Sequence, residues 1–191
     1  MMISIRIHGR GGQGSVVAAN LLAAAAFADG YFTQAFPSFG AERRGAPVAA
    51  FVRMAKEPIR RHCQVREADF LIIQDESLLH MAGITEGLKP EGGVLINSRK
   101  EGGAFDLGLS CRIVTVAASV LAQEILARPI PNTALVTAFS ALTQFISMKA
   151  LVSALEKRFS GKVLEANRRL VERAADLVPA GAWGMEDAAG H

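Results

Sequence analysis

Cysteine is almost missing from this chain: Cys63 and Cys111 are the only two in 191 residues, with no CxxC pair. That count excludes a disulfide framework and a self-contained zinc or iron–sulfur site. Aromatic residues are scarce too, at 6% of the chain while half is hydrophobic, so the core must be built from Ala, Val, Leu and Ile. Such a composition suits helices layered on a sheet better than an aromatic-rich barrel. Charge of one sign is not in excess. With 21 basic and 18 acidic residues the net charge is +3, which permits an anionic ligand but lacks the dense basic stripe of a nucleic-acid binder. No apolar run free of charges and loop formers reaches the roughly 18 residues that span a bilayer. Arg6 and Arg10 interrupt the start where a leader peptide would be apolar. A cytoplasmic protein that engages neither membrane nor nucleic acid is expected. The chain shows no internal repeat and no low-complexity segment.

What is present is an alternation of strand and helix signals. Ile3, Ile5 and Ile7 alternate with Ser4, Arg6 and His8, the period of a strand with one apolar face. The loop "GRGGQG", Gly9 to Gly14, follows at once. An Ala-rich helix is predicted from Ser15 to Asp29, with Val17, Leu21 and Leu22 buried and Gly30 closing it. Tyr31 to Phe36 reads as a short second strand; if it runs parallel beside the first, the loop after it emerges at the same carboxyl edge as the glycine loop. "FPSFGAERRGAP", Phe36 to Pro47, is a loop, in which Phe36 and Phe39 either anchor a partner surface or pin the loop to its own core, the second being favoured. Val48 to Met54 is a strand, and Ile59 to Val65 is expected to pair back on it as a hairpin. The apolar runs Asp69 to Gln74, Val94 to Asn97 and Arg112 to Val116 read as buried strands, with Leu78 to Met81 on a short helix.

After Val116 the pattern becomes helical. Helices are expected over Ala117 to Ala127, from an Asn132 cap to about Ile146, through Leu151, Leu155 and Phe159 to a stop at Gly161, and from Val163 to Leu177. The fold class is therefore α/β: a three-layer α/β/α domain with a mostly parallel, mixed sheet, a Rossmann-like start and C-terminal helices. One domain is expected over residues 1–178, with 179–191 as a flexible tail.

The glycine loop carries the chemistry. Gly9, Gly11 and Gly14 satisfy G-x-G-x-x-G between a strand and a helix, where bare backbone N–H groups and the helix dipole favour a phosphate or diphosphate. Packing alone can also demand glycine at such a turn. A dinucleotide site would want a carboxylate after the second strand, and that place holds Gln34 within "YFTQAF". A P-loop is excluded because no Lys-Ser or Lys-Thr follows Gly14. Arg10 and Gln13 are the loop's long side chains. Arg43 and Arg44, in the Pro/Gly loop, offer bidentate contacts to carboxylate or phosphate if that loop shares the carboxyl edge of the sheet. The candidate cofactor-binding set is Gly9, Arg10, Gly11, Gly12, Gln13, Gly14, Arg43 and Arg44. No metal ligand and no catalytic residue is assigned. His8 is expected to hydrogen-bond the backbone, Asp75 to cap a helix, and Arg60, Arg61 and His62 to form a solvated face.

"HGRGGQG" followed by "FPSFGAERRGAPVAAFVR", with "ADFLIIQDESLL", "TEGLKPEGGVLINS" and "PNTALVTAFSAL" downstream, resembles the gamma subunit (domain III module) of 2-oxoacid:ferredoxin oxidoreductases, the pyruvate enzyme above all. The likeness runs to about Phe159. It implies a multi-subunit enzyme that oxidatively decarboxylates a 2-oxoacid with coenzyme A, giving acyl-CoA, carbon dioxide and reduced ferredoxin. It also implies partners: alpha, beta and ferredoxin-like delta subunits, with thiamine diphosphate and iron–sulfur clusters held by them and not by this chain. The gamma chain would shape the assembly, receive coenzyme A, and be inactive alone. An NAD(P)-binding Rossmann-type oxidoreductase and a non-catalytic structural subunit are the alternatives.

Overall fold

A computed structural model describes residues 1–38, 45–60, 63–108 and 110–184. Six strands form one sheet: β1 (Met2–Arg10), β2 (Phe32–Pro37), β3 (Pro47–Ala55), β4 (Ala68–Ile73), β5 (Leu88–Asn97) and β6 (Arg112–Val116). Their spatial order is β2-β3-β1-β4-β5-β6. β1, β4, β5 and β6 are parallel, whereas β3 is antiparallel to both its neighbours, β1 and β2. The α/β class, the mixed sheet and the Rossmann-like start stand.

The condition of a β2 beside β1 is not met, because β3 lies between them, and one expectation about pairing does not hold. Among the described residues of the segment Ile59 to Val65, none pairs with β3 as a hairpin, since Ala35↔Val52 and Ile5↔Val52 pairings already occupy both of its edges. The intervening "KEPIR" is polar and carries Pro58, which has no N–H to donate to a ladder. β2 nevertheless points the same way as β1, so Pro37 and Pro47 both lie at the carboxyl edge of β1.

Five α-helices follow from the pattern: α1 (Ser15–Ala28), α2 (Ala118–Leu126), α3 (Asn132–Thr143), α4 (Met148–Glu156) and α5 (Gly161–Ala175). All five bury residues in one core with Ile3, Ile5, Ile7, Val52, Phe70, Ile72 and Leu95 from the sheet. The opposite sheet face, with Phe51, Leu71, Ile73, Val94 and Ile96, is covered by Val65, Leu78 and Ile84. Thus the third layer consists of loops and 3₁₀ turns (Glu76–His80 and Gly102–Ala104) rather than α-helices. The β4-to-β5 and β5-to-β6 connections are too short in apolar periodicity to build more.

Gly161 does not stop α4 but starts α5, and Asn132 is the first residue of α3 rather than its cap. The expectation that the domain stops at 178 meets a different arrangement over 179–184. Trp183 is 1% exposed, stacked on Phe70 with ring centroids 5.7 Å apart. The backbone N–H of Trp183 donates to Leu142 O at 2.8 Å, and that of Gly181 to Ala141 O at 2.9 Å. A Cβ on Gly93 would come within 3.0 Å of the indole ring, so that glycine makes room for it. Burying one large ring orders the small residues around it, Pro179 to Gly184. Residues 185–191 lie outside the described residues.

Candidate functional site

The sheet has a switch point between β1 and β4. From β1 the chain turns into α1 on the helical face, and from β4 into the 3₁₀ turn on the opposite face. The crevice between the carboxyl ends of such strands is where open α/β sheets take ligands. The glycine loop sits there, with Gln74 and Asp75 facing it from the end of β4.

Each glycine of the loop has a local reason. Gly9 lies inside β1, and a Cβ there would stand 2.5 Å from Gln74 Oε1. Gly12 and Gly14 have φ of +99° and +78°, which side-chain-bearing residues rarely adopt. Gly11 donates to Ala46 O at 2.9 Å and accepts from Gly45 N at 3.1 Å. The loop carrying Arg43 and Arg44 therefore has both described ends, Ser38 and Gly45, at the carboxyl edge. That edge was expected from a parallel β2 beside β1; the antiparallel β3 brings it there instead. Arg43, Arg44 and Phe39 themselves lie outside the described residues, as do Arg61 and His62. Phe36 packs on Phe51, with ring centroids 5.3 Å apart.

Arg10 and Gln13 are turned inward. Arg10 Nε contacts Asp75 Oδ2 at 3.2 Å, Nη1 donates to Gly45 O at 3.1 Å and Nη2 to Ser77 Oγ at 2.7 Å. Gln13 accepts from Arg10 N–H at 2.7 Å and donates to Asp75 Oδ2 at 3.1 Å. Asp75 also caps the 3₁₀ turn by accepting from Ser77 N–H at 3.1 Å, as its sequence position suggested. Burial pushes the Asp75 carboxyl up, but hydrogen bonds from Ser77 and Gln13 and the charge of Arg10 together hold it below its ordinary range.

The main-chain donors remain open. Gly14 is the N-cap of α1 with no side-chain cap, and the first turn carries no acidic residue. Among the described residues, the N–H groups of Gly12, Gly14, Ser15, Val16 and Val17 take no partner. These are the donors that an anion satisfies at a helix start. Sequence reasoning missed Asn132 and Gln74 as neighbours of this point. Gln74 Oε1 accepts from Ser15 Oγ at 2.7 Å, and a Cβ on Gly14 would stand 2.6 Å from Asn132 Nδ2. Both contacts are long-range, and no local signal announces them.

His8 does not make the expected backbone hydrogen bond through its side chain. Its Nε2 is buried without a partner, and burial, reinforced by the charge of Arg6, pushes its pKa down to about 4. A neutral imidazole on the loop-covered face, away from the open amides, has no acid–base task at the crevice. Gln34, where a dinucleotide's ribose would be read, donates to Ile59 O at 3.3 Å and accepts from Arg53 Nη1 at 3.4 Å. Cys63 and Cys111 are free thiols, too few to ligate a cluster. Among the described residues, no three His, Cys, Asp or Glu side chains gather as a metal site, and no helix is long and apolar enough to cross a membrane.

Residues 4–177 match the family model described as pyruvate ferredoxin/flavodoxin oxidoreductase. The chain is 47% identical over 171 residues to the pyruvate synthase subunit PorC of Methanocaldococcus jannaschii, covering 90% of this chain and 94% of that one. It is 44% identical over 176 residues to the common gamma subunit of the pyruvate/ketoisovalerate oxidoreductases of Pyrococcus furiosus, covering 91% and 95%. The crystal structure of the pyruvate oxidoreductase subunit PORC of Thermotoga maritima superposes with a TM-score of 0.82 at 34% identity, covering 94% of this chain and 98% of that one.

Proposed function

This chain belongs to the pyruvate ferredoxin/flavodoxin oxidoreductase family as a gamma-type subunit, and on that premise we propose a division of labour within its complex. The chain offers the crevice at Gly9–Gly14 to the diphosphate of coenzyme A. Alpha, beta and ferredoxin-like delta subunits hold thiamine diphosphate and the iron–sulfur clusters and pass electrons to ferredoxin in the cytoplasm. The reaction is oxidative decarboxylation of a 2-oxoacid, pyruvate first among the candidates. A relative whose gamma subunit is common to pyruvate and ketoisovalerate enzymes supports placing the choice of oxoacid outside this chain.

The observation that carries the coenzyme A reading is the row of unpartnered N–H groups at the α1 start, set at the switch point of the sheet. Within this reading Arg10 and Gln13 shape the loop rather than grip the ligand, because Asp75 already holds both. Arg43 and Arg44 supply charge from the loop whose Gly45 end is bonded to Gly11. The decisive experiment reconstitutes the complex with the double variant Arg43→Ala/Arg44→Ala. The expected result is a raised KM for coenzyme A, with KM for the oxoacid unchanged and the subunits still assembled. An unchanged KM together with lost assembly would favour a second reading, in which the loop serves subunit contact. The inward grip of Asp75 on Arg10 favours that second reading. Oxoacid-dependent electron transfer by a complex lacking this chain would overturn both.

A further inference from the structure

We infer that the β2 edge of the sheet and the outer face of α1 together bind a second copy of this chain, strand β2 against strand β2 about a two-fold axis at Gln34. The inference goes beyond the coenzyme A reading and does not rest on it.

β2 is the last strand on its side of the sheet. Ser38 N–H donates to Ala49 O at 2.7 Å, so by alternation Phe36, Gln34 and Phe32 bond β3, while Thr33 and Ala35 turn their N–H and C=O groups outward. Among the described residues nothing pairs with that outward row. The strand "FTQAFP" also lacks charge, a common protection of an open edge. On the other side of the sheet, β6 begins on Arg112, and the 3₁₀ turn Gly102–Ala104 lies against its outward Ile113 O. Apart from Pro37 at its end, the β2 edge has neither device.

The helix beside this edge has the same character. α1 holds no charged residue from Ser15 to Ala28. It packs one side on β2, β3, α3 and α4, and leaves Asn20, Ala24, Phe27 and Ala28 exposed in a stripe along the other. Phe27 is 68% exposed, and Phe32 at the start of β2 is 47% exposed. A helix with no charge on its solvent side is built to be covered.

The dimensions select a second copy as the cover. Paired strands lie about 4.8 Å apart, and α1 lies across β2 and β3 about equally. A two-fold axis beside β2 therefore sets the two α1 helices about 10 Å apart, the distance at which helices pack. Counted back from the α1–β2 turn, Gln34 is level with Ala24, because two strand residues and four or five helix residues each rise about 7 Å. Ala24 then faces Ala24 of the second copy, and Phe27 lies over Asn20 of the second copy. Thr33 exchanges both backbone hydrogen bonds with Ala35 of the second copy, and Ala35 does the same with its Thr33. On this uncharged patch no charge meets its own image. A lone extended segment of another protein would satisfy the strand and leave α1 bare.

Sedimentation velocity on the full-length chain and on the reconstituted complex tests this. The wild-type chain should form dimers. Ala24→Lys should weaken self-association about a hundredfold or more, since like charges then face each other at the axis. Ala24→Glu should do the same, and an equal mixture of the two variants should dimerise again. Circular dichroism confirms that each variant is folded, and Phe27→Ser, which adds no charge, should also weaken the dimer. A wild-type chain that is monomeric at every concentration, a dimer indifferent to Ala24→Lys, or a mixture that stays monomeric overturns the inference. A monomeric chain whose Ala24→Lys variant fails to join the complex overturns it too, and assigns the surface to another subunit.

Discussion

Arg10 Nε lies 3.2 Å from Asp75 Oδ2, and this ion pair ties the end of β1 to the end of β4 across the crevice between them. The two side chains are 34% and 22% exposed, so the bare charge attraction contributes little. The geometry matters more. One carboxylate oxygen holds Arg10 and Gln13 together, while the other organises the 3₁₀ turn through Ser77.

Replacing Asp75 by Ala should therefore loosen the glycine loop more than it destabilises the protein. We expect a loss of about 1–2 kcal/mol in urea unfolding, with faster amide exchange at residues 10–13 and unchanged protection in β4. Exchange rates in the loop equal to wild type would refute this positioning role.

His8 makes stability fall in mild acid. Its pKa in the fold is about 4, below the ordinary 6.5, so between those values the unfolded chain binds a proton that the folded chain does not. Stability from this group is complete above pH 6.5, declines as pH falls towards 4, and levels off below. The decline amounts to at most about 3 kcal/mol. His8→Gln should flatten that part of the curve; an identical profile in the variant would rule the assignment out.

Trp183 ties the residues after α5 to the sheet. Trp183→Ala should cost about 3–5 kcal/mol, and Trp183→Phe clearly less, because the stack on Phe70 is partly kept. A chain ending at Val178 should lose at least as much as the alanine variant. Unfolding midpoints indistinguishable from wild type would mean that the indole does not tie the chain to the sheet.

Gly14 and Asn132 should be coupled. Gly14→Ala meets both a left-handed φ of +78° and the Asn132 amide, so a loss of about 2–3 kcal/mol is expected. Pairing it with Asn132→Gly should recover the part due to the clash and leave about 1 kcal/mol due to the backbone. Strict additivity in the double-mutant cycle would show that the two residues do not touch.

Much of the fold was legible because it is local. The alternation in "ISIRI" marks β1, the alanines after Ser15 mark α1, and Gly30, with φ of +81°, ends that helix where expected. The strands at Asp69, Val94 and Arg112 announce themselves as apolar runs. Pairing was less legible. Val48–Met54 reads as a strand whatever lies beside it, and nothing in its period says that both β1 and β2 will flank it. At the candidate site, the spacing of Gly9, Gly11 and Gly14 identified the loop. The sequence pattern could not reveal that Arg10 and Gln13 fold back on Asp75, 62 to 65 positions away. Nor could it reveal that Asn132 reaches Gly14, since those contacts depend on which strands and helices become neighbours.

By itself the amino-acid sequence determined the elements, the bare amides at the start of α1 and the family resemblance. Those depend on periodicity and on residues adjacent in the chain, where steric and hydrogen-bonding preferences act without help. Only the tertiary structure decided which face the helices cover, which side chains hold the glycine loop, and that Trp183 belongs to the core. Each of these is settled by burying apolar surface between distant segments, a non-directional gain that favours closeness in space and ignores distance along the chain.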